Sequence, residues 1–203
     1  MDRVVTAHQM RAAEERFFAA NPDVDLMARA AAAVVEEAGG DADMPVLVAV
    51  GPGNNGGDGL FAAAALAVVR PVSIWLTAER SHPEGLAAAR AAGVVELDAE
   101  AALAHLADSP LVIDAVLGIG GRPGLRGDVA RLARECEDRG VRVLSVDLPS
   151  GLDADSGRLA DSSPPSFHAT TTVTFAALKP CHVTQPASGR CGRVVVADIG
   201  VEF

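Results

Sequence analysis

The stretch Val46–Gly59 constrains the fold more than any other. A short β-branched apolar run, Val46–Val50, stops at Gly51-Pro52-Gly53-Asn54-Asn55-Gly56-Gly57-Asp58-Gly59, which holds five glycines and two asparagines. An alanine-rich apolar segment, Leu60–Val69, follows at once. Strand, glycine loop and helix in this order is how an α/β protein builds a site for an anion or a nucleotide. Glycine lets the backbone approach a ligand with no Cβ in the way, and unpaired N–H groups at a helix start point at whatever is bound. An ordinary tight turn needs roughly two glycines; five indicate a ligand site. Asp58 reads as the N-cap of the helix from Gly59, or as a hydrogen-bond partner for a ligand hydroxyl such as that of a ribose.

The rest of the chain repeats the alternation. Residues 6–38 read as a helical arm broken at Asn21-Pro22-Asp23, with Asp25 placed to cap its second half and Gly39 and Gly40 to end it. The arm is expected to pack on the core or on a second subunit. Strands are predicted at Val46–Val50, Val72–Leu76, Val94–Leu97, Leu111–Ile113, Val141–Val146, Thr171–Phe175 and Val194–Ile199. Helices are predicted at Leu60–Val69, Glu84–Ala92, Ala99–Ala107 and Asp128–Arg139. Apolar strands separated by helices imply a mainly parallel sheet covered on both faces, an α/β three-layer sandwich. No long helix separates the last two strands, so that edge is expected to be mixed or antiparallel. At 203 residues without linker or repeat, residues 1–203 read as one domain.

Ligands in open parallel sheets bind beyond the carboxyl ends of the strands. Three unusual loops should meet there: the Asn/Gly loop, the segment from Asp114 through Gly118-Ile119-Gly120-Gly121-Arg122-Pro123-Gly124, and Asp147-Leu148-Pro149-Ser150-Gly151. A carboxylate ending an apolar strand is partly desolvated and needs partners. Asp114 and Asp147 either bond the amides of the loops that follow them or, with Asn55 and Ser150, form a set of oxygen donors. Oxygen ligands without thiolate or imidazole suit an alkali or alkaline-earth cation. Asp147 is alternatively a general acid/base whose pKa burial raises toward working pH.

Other chemistries fit poorly. Gly51-x-Gly53-x-x-Gly56 matches a dinucleotide fingerprint, but the acid expected at the end of the second strand is missing from Ile74-Trp75-Leu76-Thr77. Ser150 lacks the frame of a nucleophile elbow, and the five histidines have no zinc-ligand spacing. Asp153-x-Asp155-x-Gly157 reads as a solvated turn, lacking the terminal Glu of a calcium loop. A net charge of −10 argues against nucleic acid or an anionic membrane as a partner, and an anionic ligand must then be attracted locally. No run of about 18 apolar residues occurs, and Met1-Asp2-Arg3 opens no signal region, so a soluble cytoplasmic protein is expected. Three widely spaced cysteines imply reduced thiols. The only lysine, Lys179, reads as a surface residue at a strand end.

Five ordered motifs resemble those of the NAD(P)H-hydrate epimerases, the YjeF N-terminal domain family. They are Gly51–Gly59, Asp114–Gly118, Val146–Gly151, Thr172–Phe175 with Lys179, and Asp198-Ile199-Gly200; Leu26-Met27 of the arm also matches. The resemblance implies a Rossmann-like αβα sandwich, a homodimer, and interconversion of the R and S forms of hydrated NADH and NADPH (NAD(P)HX). It implies functional pairing with an NAD(P)H-hydrate dehydratase, with no such domain fused within this chain. It places substrate on Asn54, Asn55, Gly56, Gly57, Asp58 and on Gly118, Ile119, Gly120, Gly121, Arg122, Pro123 and Gly124. It gives one potassium ion per subunit to Asn55, Asp114 and Ser150, and sets the catalytic Asp147 at the reacting ring. The substrate's hydroxyl sits on the carbon next to the ring nitrogen; inversion needs its loss, or ring opening, and return from the other face. Ala28, Ala31, Ile119 and Thr170 depart from the family's usual residues.

Overall fold

The computed structural model describes residues 3–39 and 43–203; Gly40, expected to help end the arm, lies outside them. Seven strands form one sheet: β1 (Val46–Val50), β2 (Val72–Leu76), β3 (Val95–Leu97), β4 (Leu111–Ala115), β5 (Val143–Val146), β6 (Thr171–Phe175) and β7 (Arg193–Ala197). The order is β3-β2-β1-β4-β5-β6-β7, and every neighbouring pair is parallel. The expected mixed edge is therefore corrected. A short helix, Pro180–Val183, and a 3₁₀ turn, Ala187–Arg190, return the chain far enough for β7 to run beside β6. Connections leave β1 in one direction and resume on its other side at β4, so the topological switch point lies between these two strands.

The alternation of β1 divides the core. Val46, Val48 and Val50 face one layer, made by α2 (Leu26–Ala38), α3 (Asn54–Leu66) and α4 (Pro83–Ala91). Leu47 and Ala49 face the other, made by α5 (Ala99–His105) and α6 (Gly127–Arg139). Small side chains dominate both layers, which lets helices approach the sheet closely: a Cβ on Gly59 would stand 2.4 Å from the Ala115 Cβ.

The arm is two helices, as the sequence predicts. Thr6 and Gln9 form a capping box on α1 (Ala7–Ala20), and Asp25 accepts from the Ala28 amide at 2.9 Å on α2. Helix α1 is also tied down from a distance. The Ala7 amide donates to Asp155 Oδ1 at 2.6 Å, Val5 N donates to Leu178 O at 2.9 Å, and the Arg11 guanidinium donates to Ile119 O at 3.0 Å. The turn at Asp153–Gly157, expected to be merely solvated, thus anchors the arm across the carboxyl ends of β5 and β6.

Candidate active site

A cavity of about 460 Å³ opens beyond the carboxyl ends of β1, β4, β5 and β6, beside the switch point. Its walls include Asn54, Asn55 and Asp58 from α3, Leu117 to Gly121 after β4, Asp147 after β5, and Phe175 and Lys179 at and after β6. Met10, Arg11 and Glu14 of α1 complete it. The three loops singled out in the sequence do converge.

At the centre is a buried ion pair. Two residues with left-handed backbones set it up: Asp147 at φ +67° and Ala176 at φ +59°. Each is the middle of a three-residue turn, closed by Leu148 N to Val146 O (2.9 Å) and by Ala177 N to Phe175 O (2.6 Å). Non-glycine residues hold such conformations only when the surroundings impose them. The turns end β5 and β6 side by side, and Asp147 lines the cavity. Lys179 Nζ donates to Asp147 Oδ1 at 2.7 Å, to Thr174 Oγ1 at 2.7 Å and to Phe175 O at 3.3 Å. The Ile119 amide donates to Asp147 Oδ2 at 2.9 Å.

Two expectations are corrected here. Lys179 is 1% exposed and not on the surface. Burial is the largest single influence and pushes the Asp147 carboxyl up, but the Lys179 ammonium, His182 and the Ile119 amide together hold Asp147 below the usual carboxylate range. Asp147 is an ionised carboxylate at neutral pH. Ile119, where the family often has another residue, serves through its backbone N–H and C=O.

Asp114 lies within β4 and is fully buried. Its Oδ1 accepts from Ser150 Oγ at 2.5 Å and from Val116 N at 3.4 Å; its Oδ2 accepts from Ser150 N at 2.8 Å and Ser145 Oγ at 2.9 Å. Burial raises its pKa to about 6 against the pull of these bonds. Ser150 Oγ in turn accepts from Leu117 N at 2.8 Å. Asp114 and Ser150 therefore form one buried unit under the Leu117 segment, outside the cavity walls. Asn55 lines the cavity, and its buried Nδ2 has no hydrogen-bond partner among the described residues. A Cβ on Gly118 would stand 2.8 Å from Asp147 Oδ2 and 3.1 Å from Asn55 Oδ1, so glycine here keeps open the space between these two groups.

Residues 54–58 are not a loop. Helix α3 begins at Asn54 with Gly53 as its N-cap, and Asp58 is the fifth helical residue. That corrects the expected capping role of Asp58. Gly56 and Gly57 are buried and do not line the cavity; a Cβ on Gly56 would meet Gly51 O at 2.0 Å. Gly118, Ile119, Gly120 and Gly121 line the cavity, whereas Arg122 and Gly124 line an adjoining one of about 480 Å³ that shares Pro52, Leu117, Gly120 and Gly121. Pro123 lines neither. Glu14 and Asp58 both carry raised carboxyl pKa values, from burial first and the Asp147 charge second. Sequence reading missed Met10, Arg11 and Glu14, because only their three- and four-residue spacing on the arm was visible.

The family model for the YjeF-related protein N-terminus matches residues 24–181. The chain belongs to this family. It is 42% identical to an NAD(P)H-hydrate epimerase of Clavibacter michiganensis, over 97% of this chain and 90% of that one. It is 36% identical to a bifunctional NAD(P)H-hydrate repair enzyme of Mycobacterium tuberculosis, over 96% of this chain but 41% of the relative. A crystal structure of a yeast protein shares the fold, with a TM-score of 0.77 at 21% identity over 99% of this chain and 89% of that one. Four of the five motifs border the cavity; the fifth, Asp198-Ile199-Gly200, lies apart from it, with Ile199 O accepting from Arg29 at 2.7 Å.

Proposed function

We propose that this protein is an NAD(P)H-hydrate epimerase, an isomerase that equilibrates the R and S forms of NAD(P)HX. The observation that carries the reading is the buried Asp147–Lys179 pair opening into a cavity at the switch point of a family whose named relatives include such epimerases. An ionised carboxylate at the cavity wall has a lone pair free to accept a proton. Asp147 takes the proton of the water that returns to the hydroxyl-bearing ring carbon, while Lys179 fixes the carboxylate and balances its charge. No electron changes hands in this inversion.

Asn54, Asn55 and Asp58 with the segment Gly118–Gly124 hold the substrate. The adjoining cavity, bordered by Arg122 and Arg126, gives this acidic chain local positive charge for the phosphates of a dinucleotide. Asn55, Asp114 and Ser150 hold one potassium ion per subunit. The oxygen-only donor set with a single carboxylate suits a monovalent cation. A potassium ion held by these residues would supply local positive charge to the site. A homodimer, a cytoplasmic location and supply of the S form to a dehydratase complete the reading. Among the described residues no helix is long and apolar enough to cross a membrane.

The test is to incubate the pure R epimer with the protein and follow formation of S by chromatography. Equilibration well above the spontaneous rate is expected. A rate equal to the spontaneous one overturns the reading.

A further inference from the structure

Asp147 enters the reaction ionised, so departure of the ring hydroxyl requires a proton from elsewhere. Lys179 does not supply it: its three N–H bonds go to Asp147, Thr174 and Phe175, and it is 1% exposed. Asp58 is differently placed. It reaches the cavity from the second turn of α3, is 8% exposed, and makes no hydrogen bond among the described residues. A carboxyl nine-tenths buried and without a partner stays neutral unless a cation faces it. The groups around it supply none. Glu14 of α1, Asp25 ahead of α2 and Asp147 after β5 add negative charge. Arg11 of α1 is committed to Ile119 O, Lys179 to Asp147, and His82 at the head of α4 accepts from the Gly85 amide through Nδ1.

We propose that Asp58 is the catalytic proton donor of this site, acting with Asp147 as its complementary base. This rests on the epimerase reading. The Asp58 proton passes to the ring hydroxyl oxygen, the carbon–oxygen bond breaks with its electron pair leaving as water, and the ring nitrogen lone pair forms a carbon–nitrogen double bond. Water adding to the other face re-forms the carbon–oxygen bond and loses a proton to Asp147. The proton carried from Asp58 to Asp147 returns through solvent at the cavity mouth, and the reverse conversion exchanges the roles. Glu14, half-buried at that mouth, is a positioning residue: its charge helps keep Asp58 protonated.

The experiment compares wild type, Asp58→Asn and Glu14→Gln in the epimerisation assay between pH 5.5 and 9, with thermal melts of each. Asp58→Asn is expected to lose about 100-fold or more in kcat with KM changed little. Its Tm at pH 8 should exceed that of wild type, because the amide is neutral in both states, whereas Asp58 is ionised in the unfolded chain at that pH and must take up a proton to be buried neutral. Glu14→Gln should move the alkaline limb of the activity profile to lower pH than in wild type. A kcat within threefold of wild type in Asp58→Asn overturns the proposal, as does a rise in KM alone, which would make Asp58 a binding contact only. A Tm of Asp58→Asn below that of wild type at pH 8 also overturns it, and needs no activity. Wild type that fails to accelerate equilibration overturns the epimerase reading and this proposal together, whereas failure confined to the variants leaves that reading standing.

Discussion

Residue by residue, the site depends on charges that burial makes expensive and that geometry pairs. Removing one member of a buried pair costs about 3–5 kcal/mol, because the other charge is left unpaired. Lys179→Met should therefore lower stability by about that amount in denaturant melts, and adding Asp147→Asn should restore much of it, a coupling a double-mutant cycle measures. The pH dependence should also change sign. In wild type the folded pKa of Asp147 is depressed, so its stabilisation is present above the unfolded carboxylate value and is lost as pH falls through the folded one. With Lys179→Met the buried Asp147 is raised, and its contribution is lost as pH rises. Equal pH profiles in the two proteins would contradict this pairing. Asp147 was visible in the sequence as a carboxylate at a strand end; the direction of its pKa was not, because that depends on a lysine 32 positions away. A lone lysine resembles a surface residue until its partner is known. Gly118→Ala should cut turnover steeply and lower the melting temperature, since its Cβ would stand 2.8 Å from Oδ2 of the Asp147 carboxylate that the Ile119 amide and Lys179 hold in place.

Among the elements, those buried on both faces were the most legible. The bounds of β1, β2 and β6 follow from their apolar and β-branched runs. The start of α3 was not legible, because Asn54-Asn55-Gly56-Gly57 has the composition of a loop. Close packing against Gly51 and Ala115 imposes helix on it despite poor propensity. The parallel β6–β7 edge was hidden for a similar reason, since a helix of one turn was too short to read as a crossover. Helix α1 was predicted, but its place over the cavity was not; that place is set by Asp155 and the Arg11–Ile119 tie. Asp155→Ala should loosen α1 by about 1 kcal/mol, seen as amide exchange roughly fivefold to tenfold faster in α1 with β1 unchanged. Unchanged exchange in α1 would remove Asp155 as its anchor.

At the scale of the whole molecule, two halves of a parallel sheet diverge between β1 and β4, and the site occupies the crevice this makes. Ionised Asp147, the Lys179 ammonium and the carboxyl groups of Glu14 and Asp58 meet there, supplied by segments spread from residue 14 to residue 179. If Asn55, Asp114 and Ser150 hold potassium, replacing sodium by potassium at equal ionic strength should raise Tm in wild type and not in Ser150→Ala. The central claim is that Asp147 inverts the hydroxyl-bearing ring carbon of NAD(P)HX, and one measurement tests it most directly: the rate at which pure R epimer equilibrates to S with wild type and with Asp147→Asn. Wild type should exceed the spontaneous rate by orders of magnitude, and a folded Asp147→Asn should fall about 100-fold to 10,000-fold below it. Wild type no faster than the spontaneous rate, or an Asp147→Asn protein as fast as wild type, would contradict the account.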